Sequence, residues 1–514
     1  MAWGAVGAVM VLAAAFALSA PQVVAQAADK TEGAPSSDQD ARRYMGELND
    51  TFRFILQNYV DKPEAKKLYE GAMKGMFESL GDPFSYFLDQ SQLSDMTDIT
   101  SGQFGGVGLY IEKQEKDSKK GDDHPLFIEV VSPIEDTPGA KYGLQAGDLI
   151  TKIDSESTED LSATQATQKI RGPAGTKVTL TIRRGEAEFD ATLTRAMIDI
   201  PTVKYAIIPT PKGNIGYLRI IEFTAQTKQA FDEAVKGLDK AGYRALILDV
   251  RNDGGGLLDA VVRVADGLLD KGSLIVSTRG RDSLNEEVFR ADSGGSVLKE
   301  KPIILLANKG SASASEILAG ALKDNKRAYI VGENTYGKGS VQQIFPLDAT
   351  GFRMTIARYY TPSDENIDKT GIPPDLEVKD PDLTDAQAAD LAKLFDSGKL
   401  DAFVKGKPNA TVEERNAFAS ELGKTYALPE RVLRLLVKNQ LERNKTAAVY
   451  DLEFDSALNA AIKLIDDPNY AKLLNDAKSV RELVEAKKAA AKASGAAVQH
   501  VDSGSTLPSP EPNN

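Results

Sequence analysis

Apolar residues change their spacing several times along this chain, and each change marks a different kind of unit. From Asp40 to Gly81 they fall at helical intervals. Met45, Leu48, Phe52, Ile55, Leu56 and Tyr59 recur near i, i+3, i+4 and i+7, which predicts a helix. Pro63 opens a second helix that carries Leu68, Ala72, Met76 and Leu80 on one side and stops at Gly81. From about Gly102 the runs shorten to strand length between Gly, Pro and Asp: Phe104–Glu112, Leu126–Val131, Leu149–Asp154, Lys177–Arg183 and Glu188–Leu193. From Ile198 to about Val378 strands alternate with helices. Ile215–Ile220, Ala245–Val250 and Ile303–Ala307 read as strands; Lys228–Ala241, Leu257–Leu269 and Ser313–Asp324 read as helices. This alternation predicts a largely parallel sheet covered by helices. After Pro381 the pattern is helical to about Ala490, and the Ser- and Pro-rich end, Gly495–Asn514, predicts disorder.

The first residues stand apart. Met1–Ala20 is almost uninterrupted Ala, Val, Gly, Leu and Met, followed by the small-x-small pattern Ala25-Gln26-Ala27. That combination predicts a secretory signal cleaved after Ala27 and a protein exported to the periplasm or cell envelope. No Lys or Arg precedes the apolar run, and its length approaches a bilayer span. Left uncleaved, it would tether the protein to the membrane. A polar linker, Ala28–Gln39, follows.

Composition narrows the chemistry. At 514 residues the chain holds several domains, and its net charge of −13 argues against a general nucleic-acid binder, which needs a basic face. There is no Cys, so thiol nucleophiles, thiolate metal sites and disulfides are excluded together. The only histidines are His124, beside the charged stretch Lys116–Asp123, and His500, in the polar tail. Neither has a partner at metal-ligand spacing. A hydrolase built on this chain needs a base other than imidazole, and no metal or organic cofactor is implied.

Between Gly143 and Asp154 the run Gly143-Leu144-Gln145-Ala146-Gly147-Asp148-Leu149-Ile150 leads into Lys152-Ile153-Asp154. A tight glycine turn delivers a strand with alternate residues buried, and Asp148 can brace the turn. Ile170-Arg171-Gly172-Pro173-Ala174-Gly175-Thr176-Lys177-Val178 gives a helix end, a turn and a further strand. Together these runs resemble a PDZ domain, and the resemblance extends to Phe104-Gly105-Gly106-Val107-Gly108-Leu109. It implies that the backbone of Gly106, Val107 and Gly108 receives a peptide's terminal carboxylate, while the strand from Leu109 pairs with the peptide. The helix Ser162–Ile170 would line the groove with Ala166 and Ile170, or simply pack them in the core.

Three serines crowd a strand-to-helix junction in Gly310-Ser311-Ala312-Ser313-Ala314-Ser315-Glu316. A hydroxyl there lies at the positive end of a helix dipole, where developing negative charge is favoured. Ser313 with Glu316 also satisfies a capping box, an ordinary helix start. These residues alone do not choose among Ser311, Ser313 and Ser315. Further on, Gly337-Lys338-Gly339-Ser340-Val341-Gln342 opens a strand running to about Leu347, and Lys338 and Gln342 are four apart, on one face of a strand.

The three segments together resemble the carboxyl-terminal processing (tail-specific) proteases over roughly Tyr44–Pro381. The resemblance implies Ser313 as nucleophile, Lys338 as base and Gln342 as the residue that orients the lysine. It implies Ala314 N–H as one oxyanion donor and a glycine of Asp249-Val250-Arg251-Asn252-Asp253-Gly254-Gly255-Gly256 as the other, with Gly255 leading. The family often has Pro where this chain has Gly254. A lysine activates a hydroxyl only when neutral, and moving it from about 10.4 to near 7 costs on the order of 4–5 kcal/mol, which burial can supply.

The implied fold is an α/β protease core, a parallel-rich sheet with covering helices of the crotonase/tricorn-core kind, with an inserted PDZ-like domain and helical N- and C-terminal regions. The expected divisions are a signal peptide at 1–27, an N-terminal helical region at 28–100, a PDZ-like domain at 101–196, a protease core at 197–380, a C-terminal helical region at 381–490 and a disordered tail at 491–514. The expected activity is serine endopeptidase cleavage of exported proteins near their C-termini. Expected partners are protein or peptide substrates with free C-termini and further copies of the chain, in a dimer or larger homo-oligomer. The competing reading is a non-catalytic PDZ scaffold that binds tails without cutting them.

Overall fold

The computed structural model describes residues 35–113, 126–134, 137–145, 147–185, 187–282, 286–293, 301–379, 383–442 and 448–493. The expectations for the signal segment, His124, Ala146, His500 and the tail lie outside these residues. The chain divides into two compact units, 1–87 and 88–514.

In the first unit two helices, Pro35–Asn58 and Ala65–Glu78, follow the expected apolar spacing. Leu48, Phe52 and Ile55 of one border the same groove as Leu68 and Ala72 of the other. Phe54, Tyr59 and Val60 stay exposed. The second unit begins with the helix Gln90–Ser101, which the structure groups with the body of the chain. Asp89 caps it by accepting the Gln92 N–H, and Gly102 ends it in a left-handed conformation.

The expected strand Phe104–Glu112 is in fact two. Gln103–Gly106 pairs with Ala196–Asp199, and Leu109–Lys113 opens a separate antiparallel sheet. The break falls at Gly108, whose φ is 73°. That sheet runs in the order Leu109–Lys113, Ile128–Pro133, Leu149–Ile153, Lys177–Arg184, Ala187–Thr194, with Leu109–Lys113 at its edge. Alternate residues (Ile128, Val130, Ile150, Val178, Leu180, Ile182) fill one core with Ala166 and Ile170 of the helix Ala163–Ile170. Asp148 braces its turn by accepting the Gln145 N–H at 2.8 Å and the Arg184 guanidinium at 2.6 and 2.7 Å.

Among the described residues the second core is a six-stranded sheet in the order Val203–Ile208, Ile215–Ile220, Ala245–Asp249, Ile303–Ala307, Tyr329–Gly332, Leu376–Glu377, with only the first pair antiparallel. Period-2 alternation sends its side chains to two different layers. Leu246, Leu248, Ile303 and Leu305 pack under the helices Thr227–Lys240, Leu258–Asp266 and Ala314–Asp324. Ile247, Ile304, Leu306 and Val331 face the other way, against Ala457, Leu458, Ala461 and Ile465. A further antiparallel sheet joins Ser340–Leu347, Thr350–Tyr360, Leu274–Gly280 and Glu287–Arg290.

The C-terminal helical region is two structures, not one. The helices Asp385–Asp396, Lys399–Gly406, Val412–Leu422 and Glu430–Glu442 bury their own core around Leu394, Leu422, Leu433 and Val437. The following helices, Ser456–Ile465 and Tyr470–Asp476, return to cover the open face of the parallel sheet.

A candidate serine protease site

The strand Ile303–Ala307 ends at a loop that turns sharply into the helix Ala314–Asp324, and Ser313 sits on the turn with φ 55° and ψ −112°. A side chain other than glycine pays roughly 1–3 kcal/mol for such a conformation, and surrounding contacts must hold it. The three serines separate cleanly. Ser311 is fully buried; its hydroxyl donates to Val250 C=O at 2.8 Å and accepts the Asn308 N–H at 3.0 Å. Ser315 is equally buried and donates to Asp253 C=O at 3.1 Å. Ser313 is half-buried and borders a cavity of about 440 Å³. The outer two serines tie the turn to the loop after Ala245–Asp249, and the middle one faces the cavity.

The same cavity is bordered by Ala314, Gly254, Gly255, Gly256, Lys338, Gln342, Arg353 and Tyr359, with Met96, Ile99, Leu257, Ile317 and Ile344 supplying apolar wall. The structure thus brings together all five residues expected at the protease centre. Lys338 and Gln342 come to border one cavity by a route other than simple strand alternation. Lys338 lies in the turn before Ser340–Leu347, and the register shifts between Val341 and Gln342. Gln342 Nε2 donates to Ser340 Oγ at 2.8 Å and Thr355 Oγ1 at 3.3 Å, and its Oε1 accepts from Arg353 Nη2 at 3.2 Å.

Glu316 is the residue the sequence reading missed, having been taken only as the second half of a capping box. It is 0% exposed. Its Oε2 accepts the Ser313 N–H and the Lys338 N–H, each at 2.9 Å. Its Oε1 accepts from Thr335 Oγ1 at 2.5 Å and the Gly337 N–H at 2.7 Å. One carboxylate therefore bonds directly to the backbones of both Ser313 and Lys338. Burial pushes its pKa up to about 7, against four hydrogen bonds that favour the charged form. Its signal in the sequence was its residue type: a carboxylate three residues into a helix otherwise lined by Ile317, Leu318, Ala319 and Leu322.

The glycine loop corrects one expectation. Gly255 packs so tightly that a Cβ would lie 2.7 Å from Ala312 O and 2.8 Å from Ser313 Cβ, and its φ is 104°. Its N–H, the expected oxyanion donor, is given to Asp253 Oδ1 at 2.8 Å. Gly256 also borders the cavity and forms a parallel bridge with Phe223, which bonds Gly255 C=O and the Leu257 N–H. In a parallel bridge the middle residue's own N–H points to the opposite side. Asp253 is fully buried, with Oδ2 unpartnered, and burial pushes its pKa up to about 7.

The residues expected to receive a peptide border a second cavity, of about 270 Å³, lined by Gly106, Val107, Gly108, Leu109, Ile134, Thr167 and Ile170. Of the two places open to Ala166, the structure gives it the domain core, 0% exposed, while Ile170 and Thr167 border the cavity. Among the described residues Leu109–Lys113 is the edge strand of its sheet, and three of its residues border this cavity.

Comparison with known proteins agrees with this architecture. Residues 214–378 match the model of peptidase family S41, 129–184 that of a PDZ domain, and 2–92 that of the activating protease CtpB N-terminal domain. The chain is 40% identical over 380 residues to a carboxy-terminal-processing protease of Bartonella bacilliformis, covering 72% of this chain and 83% of that protein. It is 33% identical over 360 residues to the carboxy-terminal processing protease CtpA of Bacillus subtilis, covering 70% and 74%. A solved photosystem II D1 C-terminal processing protease shares 33% identity over 64% of this chain and 92% of its own, with a TM-score of 0.38. The chain belongs to the carboxy-terminal processing proteases, serine peptidases of family S41.

Proposed function

We propose that this peptidase cuts through a Ser313–Lys338 dyad, with Gln342 orienting the lysine. Neutral Lys338 takes the Ser313 proton as Oγ bonds to the scissile carbonyl carbon, then passes it to the departing amine as the C–N bond breaks. Water hydrolyses the acyl-enzyme by the reverse proton path. Ala314 N–H, in the first turn of its helix, is one oxyanion donor; Gly256 N–H replaces Gly255 as the leading candidate for the other. The observation that carries this reading is that Ser313, alone of its three serines, borders the cavity shared with Lys338.

The edge strand and the Gly106–Gly108 loop are read as the receptor for a substrate's free C-terminus. Tail capture would raise the effective concentration of the chain at Ser313. We place the enzyme outside the cytoplasm on the apolar run Met1–Ala20 and the Ala25-Gln26-Ala27 pattern, and the exposed apolar side chains of its first helices are read as surfaces for self-association.

The test is proteolysis of an unfolded protein, with new termini located by mass spectrometry. Ser313→Ala and Lys338→Arg should each lower the rate more than about a thousandfold, since guanidinium stays protonated. Replacing His124 and His500 with Ala should leave it intact. Acylation of Ser311 rather than Ser313, or loss of activity in the double His variant, would overturn the dyad.

A further inference from the structure

The hairpin Ser340–Leu347 and Thr350–Tyr360 places Gln342 opposite Thr355, so Arg353 lies diagonally across on the same face. A guanidinium can only donate, so it fixes which end of the Gln342 amide faces it: Oε1 accepts from Arg353 at 3.2 Å. Nε2 is thereby turned to Ser340 Oγ and Thr355 Oγ1. The amide is held at both ends, and Arg353 borders the same cavity as Lys338.

We propose that Arg353 is a positioning residue for the dyad, pinning Gln342 while its permanent positive charge favours the neutral form of Lys338. The proposal rests on the reading of Lys338 as the base. A second cation in one cavity disfavours protonation of an amine, and arginine cannot relieve the repulsion by losing its own proton. Three acidic groups from other elements border this cavity or bond to the backbone at Lys338 and Gly339. Glu222, from the segment after Ile215–Ile220, is pushed up by burial. Glu316, from the helix, is pushed up to about 7 by burial and spends its oxygens on four donors. Asp368 accepts the Gly339 N–H at 3.3 Å. Burial thus works against the charge of the first two carboxyls, while that of Arg353 persists.

The experiment follows the acylation burst of the full chain with an activated ester from pH 6 to pH 10. It compares the parent with Arg353→Met, Arg353→Gln, Arg353→Lys and Lys338→Met. Arg353→Met should move the rising limb up by about one pH unit, cutting the rate at neutral pH roughly tenfold and converging on the parent near pH 10. Arg353→Lys should stay within about 0.3 unit of the parent. An unmoved limb in Arg353→Met, or a loss that high pH does not recover, would overturn the proposal. If that variant fails to fold, a limb shifted in Arg353→Gln but not in Arg353→Lys supports it, and equal limbs in the two overturn it. Survival of the limb in Lys338→Met would instead sink the dyad reading beneath it.

Discussion

The two cavities of this protein are built in opposite ways. The cavity proposed to take a substrate's tail draws Gly106, Val107, Gly108 and Leu109 from one stretch of chain, backed by a helix of the same small domain. The cavity at Ser313 draws on segments around 222, 255, 313, 338 and 353, spread over more than a hundred residues of chain. Local chain geometry suffices for the first; the second needs distant loops held in register. The difference shows in what does the holding. At the tail cavity it is backbone conformation, with Gly108 at φ 73° against Thr137. At the catalytic cavity it is a buried carboxylate, Glu316, on four donors from two segments.

Breaking the long-range tie should have the largest effect. Glu316→Ala removes the acceptor shared by the Ser313 and Lys338 backbones and leaves buried N–H groups unpaired. Proteolysis should fall at least a hundredfold, roughly what misplacing reacting groups by an ångström costs, while binding of a tail peptide stays near the parent value. Titration calorimetry beside a turnover assay checks both. A variant that binds and cuts normally would remove Glu316 from the account.

The complementary change strikes only the local cavity. A Cβ on Gly108 would meet Thr137 at 2.3 Å in a backbone conformation that side chains disfavour. Gly108→Ala should therefore weaken tail binding and cut the rate on a substrate with a free apolar C-terminus about tenfold, while acylation by a small activated ester is unchanged. Equal loss on both substrates would mean that the two cavities are not separable.

A smaller effect concerns stability. The Asp253 carboxyl is raised to about 7 by burial, so between roughly pH 4 and pH 7 the folded chain holds a proton that the unfolded chain has lost. Its contribution is fully present below the ordinary carboxylate range and is lost as pH rises through about 7. Urea unfolding should show stability declining over that interval by about 4 kcal/mol from Asp253, and Asp253→Asn should remove that part of the slope while the part from Glu316, also raised to about 7, stays. Equal slopes in parent and variant would show that Asp253 is ionised throughout.

Legibility followed the same division. The antiparallel sheet, its bracing Asp148 and the glycine loop were readable because turn residues and alternation act over a few positions. The errors arose where one run of residues serves two neighbours. Phe104–Glu112 reads as a single strand, yet its halves pair with different partners. The region after Pro381 reads as one helical block, yet half of it builds its own core and half returns to the parallel sheet. Gly255 was the natural oxyanion donor until Asp253, two residues away, proved to accept its N–H.

By itself the sequence determined the kinds of element, the order of the parts, the absence of thiol chemistry and the residue types available for a serine–lysine site. Each of these follows from composition, from short-range periodicity or from motifs whose physics is local. Only the tertiary structure decided which serine faces the cavity, because Ser311, Ser313 and Ser315 differ in what lies around them and not in what they are. It also decided that one helix-capping glutamate joins the two halves of the site, and that an arginine 15 positions after Lys338 borders the same cavity. The reason is physical: burial and hydrogen-bond partners are properties of residues distant in sequence, and only folding brings those residues together.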